Sequence, residues 1–270
     1  MSCDILTSPP PPDRENPVDP SNPNFQPPLA SISAGPSDNS TVLDSTVTVR
    51  WQGNLGDSVI RFSYQLDGSA WSSADTAKQV TLTYLDEGVH VFNVRAQYVT
   101  GAQQATPSTR TFTVDAINGP ALRLFPRKAA LVAVSSQTLE TQIYAEEISG
   151  TGFAGAKIVL SYDVTVFQTD SSAIQVYGDP ASFLAKNGGS LISFKDVDKV
   201  NGVVTLSLAV AGGNPENVTG TGLVARITFQ KLTSQPRVTR INISAASNLR
   251  TSDNQTENLN VLVGQVVEVR

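Results

Sequence analysis

Residues 155–168 read GAKIVLSYDVTVFQ, and their pattern decides the fold. Ala156, Ile158, Leu160 and Tyr162 recur at every second position, the period of a strand with one buried face. An aspartate turn at Asp163 breaks the run, and Val166 and Phe167 cap its end. A second run, GTGLVARITFQ at 220–230, starts on glycine and sets Leu223, Ala225, Ile227 and Phe229 on one side. Between the two lie GVVTLSLAVAGG (202–213) and the loop NPENVTGTG (214–222). Further alternating runs, among them TLETQIYAEEI (138–148), SLISFKDVD (190–198) and RVTRINISAASN (237–248), extend this texture over 121–270. Only DPASFLAK (179–186) offers a short helical turn.

The same alternation fills residues 29–116. VIRFSYQL (59–66) puts Ile60, Phe62, Tyr64 and Leu66 on one face, and TVTVRW (46–51) does so for Val47, Val49 and Trp51. Glycine- and aspartate-rich turns separate these runs at short spacing, which predicts an antiparallel sandwich. Residues 117–120 read as a linker between two domains, 29–116 and 121–270. Nine of the 16 prolines lie in residues 1–28, a composition that favours an extended, semi-rigid arm. The predicted architecture is all-β: a disordered or extended arm followed by two antiparallel β-sandwiches.

Charge and cysteine usage narrow the function classes. A net charge of −5 and a pI near 4.9 give no concentrated basic face for nucleic acid. No apolar run is long enough to span a bilayer. A single cysteine, Cys3, excludes an internal disulfide. CDILTSPPPP (3–12) looks like the processed start of a bacterial lipoprotein, whose first cysteine carries the lipid, with residues 1 and 2 left from recombinant expression. That reading makes Cys3 the lipid-attachment residue, the membrane a partner only through the anchor, and the protein extracellular, either cell-surface anchored or secreted.

Two resemblances sharpen the fold. FSYQLDGSAWSS (62–73) with VTLTYLDEGVHVFNVRAQ (80–97) resembles the immunoglobulin-like or fibronectin type III-like modules of bacterial surface proteins, implying a seven-strand sandwich. The succession GAKIVLSYDVTVF, GVVTLSLAVAG and GTGLVARITF resembles the cohesin domain, implying a nine-strand jelly roll over 121–270. Cohesins bind dockerins, which are small calcium-stabilised helix pairs attached to polysaccharide-degrading enzymes. The resemblance therefore implies a protein partner, a dockerin-bearing enzyme, and calcium only on that partner. The chain itself calls for no cofactor.

A catalytic apparatus is not expected. His90 is the only histidine and shares a strand face with Phe92 and Val94, so no His-based metal site or Ser-His-Asp triad assembles. Glu146 and Glu147 are neighbours on a strand and point to opposite faces, unlike glycosidase carboxylates. DVDKVNG (196–202) places its glycine seventh and leads into a strand, so it reads as a hairpin turn rather than a calcium loop.

The cohesin resemblance implies a docking plateau on the strands near 155–161, 191–196, 203–210 and 239–245. Alternation then puts Lys157, Val159, Ser161, Thr205, Ser207, Ala209, Asn242 and Ser244 outward, a flat face of small groups without strongly acidic or hydrophobic members. Tyr162, Phe194 and Phe229 fall at core parity. Two rival readings stand beside docking. One is a structural subunit of a surface layer, adhesin or appendage, self-assembled through the arm by strand addition. The other is a carbohydrate-binding module, for which Trp71, Tyr84 and Tyr98 are the available platform residues.

Overall fold

The computed structural model describes residues 17–132, 137–148, 153–176, 183–213 and 218–270. The chain divides into two compact units. The first runs through Val42 and includes Thr46–Leu82 and Val89–Thr113; the second holds Leu43–Ser45, Thr83–Gly88 and Val114–Arg270.

Residues 30–114 form β1 (Ala30–Ala34), β2 (Ser40–Val42), β3 (Val47–Gly53), β4 (Ile60–Leu66), β5 (Gln79–Leu82), β6 (Gly88–Tyr98) and β7 (Ser108–Val114). They make a three-stranded sheet, β1-β3-β5, and a four-stranded sheet, β2-β7-β6-β4. The alternation of β3 buries Val47, Val49 and Trp51 while Thr48 and Arg50 face solvent. Trp51 fills the space between the sheets, its ring 6.3 Å from Phe62, 6.1 Å from Tyr64 and 6.0 Å from Phe92. His90 is buried, as its strand face demands, and its Nδ1 lies 2.7 Å from the Asp67 carboxylate.

Residues 17–28 of the arm are not a free spacer. Cys3 and the first half of the arm lie outside the described residues, whereas residues 17–28 pack on the first unit. Val18 is buried, Phe25 meets Tyr98 edge-on at 6.4 Å, and Asn54 Nδ2 donates to the Pro27 carbonyl at 2.9 Å. Val18 and Phe25 interrupt the proline run with apolar groups, and those groups hold the chain down.

The second unit comprises β8 (Ala121–Phe125), β9 (Lys128–Leu131), β10 (Thr138–Ile148), β11 (Gly155–Ser161), β12 (Phe167–Gln168), β13 (Ile174–Val176), β14 (Ser190–Asp198), β15 (Val203–Ala211), β16 (Gly220–Lys231), β17 (Arg237–Ile243), β18 (Asn248–Arg250), β19 (Thr256–Glu257), β20 (Val261–Val263) and β21 (Gln265–Val269). One sheet has the order β12-β16-β10-β8-β20, with β13 also on β16. The other has the order β14-β15-β11-β17-β21-β9, with β18 on β11 and β19 on β18. The pairs β20–β8 and β21–β9 are parallel. The described part of DPASFLAK is a turn that buries Phe183, Leu184 and Ala185, not a helix.

Side chains of both sheets interlock in one core. Tyr162 meets Phe229 at 5.3 Å and Phe167 meets it at 5.9 Å, while Ile158, Leu160 and Ile227 are fully buried. A polar bridge lies within this core: Thr141 Oγ1 on β10 donates to Gln265 Oε1 on β21 at 2.8 Å, both residues fully buried. Leu223 departs from its expected inward parity. The pairing of β10 with β16 slips between Ile143 and Tyr144, so that Ala225 and Leu223 face consecutive residues and Val224 is the extra, bulged one. Val224 takes the buried position and Leu223 is left half-buried. No helix among the described residues is long and apolar enough to cross a membrane.

Candidate functional site: one sheet face

The residues singled out by alternation lie together on the sheet β14-β15-β11-β17. Lys157 pairs with Ser207, Val159 with Thr205 and Gly155 with Ala209 across β11 and β15. Ser161 pairs with Asn242 on β17, and Ser244 follows that strand and donates its backbone N–H to the Val159 carbonyl at 2.8 Å. On β15 the buried Val204, Leu206 and Leu208 alternate with these positions, which fixes Thr205, Ser207 and Ala209 on the opposite face. Lys157, Ala209 and Asn242 are exposed; Val159, Ser161, Thr205, Ser207 and Ser244 are half-buried between neighbouring strands.

The strand β14 changes the character of this face. Phe194, expected in the core, is 73% exposed, and Ile192 is 49% exposed. The register explains the reversal. Phe194 pairs with Ser207 and Ile192 with Ala209, so both share the outward face of β15. The inward positions are instead Leu191, Ser193, Lys195 and Val197, and Lys195 Nζ donates to the Ile174 carbonyl at 2.8 Å. Alternation alone could not phase this strand, because Ile192 and Phe194 in one phase balance Leu191 and Val197 in the other. The face therefore has an apolar margin, Ile192 and Phe194, beside a floor of small hydroxyl and methyl groups.

Its dimensions follow from sheet geometry. Four strands at ~4.8 Å spacing span about 14 Å, somewhat more than the 10–12 Å diameter of an α-helix. Asp198, at the end of β14, accepts the backbone N–H groups of Val200 and Asn201, both at 3.0 Å, and the Asn201 side chain at 2.6 Å. The Asn201 side chain first, then these backbone donors, hold the Asp198 carboxyl below the usual carboxylate range. Among the described residues no group of three or more His, Cys, Asp and Glu is arranged to hold a metal ion.

Other titratable groups are engaged structurally. Glu146 is buried against Arg123 and accepts from Thr221 Oγ1 at 2.8 Å, while exposed Glu147 accepts the Gly119 N–H at 2.8 Å. In the first unit Tyr98 is buried and so offers no platform for a sugar. Trp71 is half-buried with the Arg95 guanidinium 4.2 Å above its ring, and Tyr84 is exposed.

No protein-family model matches the chain, and no curated protein matches it. Cohesin domains are among the solved structures that the chain is similar to. A type II cohesin domain from the cellulosome of Acetivibrio cellulolyticus is 18% identical, with a TM-score of 0.41, over 54% of this chain and 92% of its own. A type I cohesin–dockerin complex from Clostridium thermocellum gives 14% identity and a TM-score of 0.42, over 56% of this chain and 92% of that one. A non-cellulosomal cohesin from the archaeon Archaeoglobus fulgidus is 10% identical, with a TM-score of 0.37, over 56% of this chain and 91% of its own.

Proposed function

We propose that this is a non-catalytic protein-docking molecule that captures a helical partner module, of the dockerin type, on the face formed by β14, β15, β11 and β17. The observation that carries the reading is the exposure of Ile192 and Phe194 beside the small-residue floor of Thr205, Ser207 and Ala209. Burying a phenylalanine side chain is worth about 1.5–3 kcal/mol, so two large apolar groups held outward on a rigid sheet are ready anchors. The floor lets a helix approach closely, and its hydroxyls fix the register. The sequence resemblance to cohesins supports a dockerin in particular, with calcium brought by the partner.

In this reading the protein works outside the cell. Cys3, outside the described residues, carries the lipid; the arm and first unit hold the docking unit away from the surface. The test is calorimetric titration of the full chain with calcium-loaded type I and type II dockerins, repeated with Phe194→Asp and Ser207→Asp. Binding that both substitutions abolish supports the docking face. Binding that survives both places the dockerin elsewhere, and no binding to either type removes dockerins as the partner class.

A further inference from the structure

The edge of β14, as distinct from the face it contributes to, points to a second partner. This nine-residue strand ends its sheet and pairs with β15 alone among the described strands. A long edge with exposed apolar side chains is a template for another strand. β14 carries charges of its own, Lys195, whose ammonium bonds the Ile174 carbonyl of its own chain, and exposed Asp196, so a pairing register must leave both without a like-charged neighbour.

The sequence of β14 is self-complementary in one antiparallel register. With Ser193 on the twofold axis, Phe194 faces Ile192 of the second copy, and the same contact recurs across the axis. Lys195 then faces Leu191, and Asp196 faces Ser190, so no like charges meet. Moving the axis to Phe194 sets Asp196 against Ile192, and moving it to Lys195 puts two ammonium groups face to face. An axis on Ile192 leaves Phe194 opposite Ser190. The Ser193 register alone matches both exposed apolar residues, and aromatic–β-branched cross-strand pairs are stabilising.

We propose that a second copy of this chain pairs antiparallel with β14 about Ser193, joining the two sheets into one. This goes beyond the docking role above and does not depend on it. An axis normal to the sheet leaves both outward faces on the same side, with four apolar side chains clustered at the seam.

Sedimentation of the full chain without any partner tests the proposal. A concentration-dependent dimer is expected, and Phe194→Asp should be monomeric with an unchanged β circular-dichroism spectrum. In a Cys3→Ser background, Ser193→Cys should form a symmetric disulfide under mild oxidation, because directly opposed antiparallel residues lie within disulfide reach. Lys195→Cys, whose counterpart is Leu191, should cross-link far more slowly. A wild-type chain that remains monomeric overturns the proposal, as does a dimer that cross-links equally at both positions.

Discussion

Phe194 stands directly across from Ser207 in the β14–β15 ladder, and this pairing puts a largely exposed aromatic ring beside a small hydroxyl side chain. A phenylalanine placed there contributes little to folding. Phe194→Ala should change stability by no more than about 0.5 kcal/mol, as for other surface sites. Phe229→Ala, which removes the ring between Tyr162 and Phe167, should cost about 3–5 kcal/mol. Urea denaturation followed by far-ultraviolet circular dichroism separates the two outcomes.

The Thr141–Gln265 hydrogen bond is a fully buried polar tie between the sheets of the second unit. Thr141→Val keeps the shape but strands the buried Gln265 carbonyl oxygen, at an expected cost of about 1–3 kcal/mol. Adding Gln265→Leu should recover much of that loss, since both polar partners are then gone. Equal or greater destabilisation in the double variant would contradict this assignment.

Gly202 closes the β14–β15 hairpin with φ +65°, and a Cβ there would collide with the Tyr162 carbonyl oxygen. Gly212 has φ +75° but open space around its Cβ position. Gly212→Ala should therefore show only the left-handed backbone penalty of about 1–2 kcal/mol, and Gly202→Ala clearly more. Thermal denaturation of the two variants gives the comparison.

Acid should loosen the first unit through Asp67. Burial raises its pKa, but the His90 hydrogen bond, the Val91 N–H and the His90 charge together bring it below the ordinary value. A depressed carboxylate pKa stabilises the fold above the unfolded value near 3.9, and that contribution fades as pH falls through the folded value. Both tryptophans, Trp51 and Trp71, lie in the first unit, so intrinsic fluorescence reports this transition. Asp67→Asn, which tolerates the residue's φ of +50°, should lower stability at neutral pH and flatten the acid dependence.

Much of this architecture was legible from period-two patterning, because strands with one buried face record their orientation residue by residue. The outward face of β11 and β15 followed directly, since Ile158, Leu160, Val204 and Leu206 leave no doubt about phase. Where two apolar pairs compete, as on β14, the pattern is silent and only the hairpin register decides. A bulge is equally invisible: Val224 and Ala225 are both buried although they are adjacent. The packing of residues 17–28 was hidden by proline content, which says how the chain is extended but not what Val18 and Phe25 rest on.

The most direct test of the docking account is the affinity of a calcium-loaded dockerin for the full chain against its Phe194→Asp variant, by titration calorimetry. Loss of at least about tenfold in affinity, equal to 1.4 kcal/mol, with the fold intact is the expected result. Unchanged affinity in Phe194→Asp would show that this face is not where the partner binds.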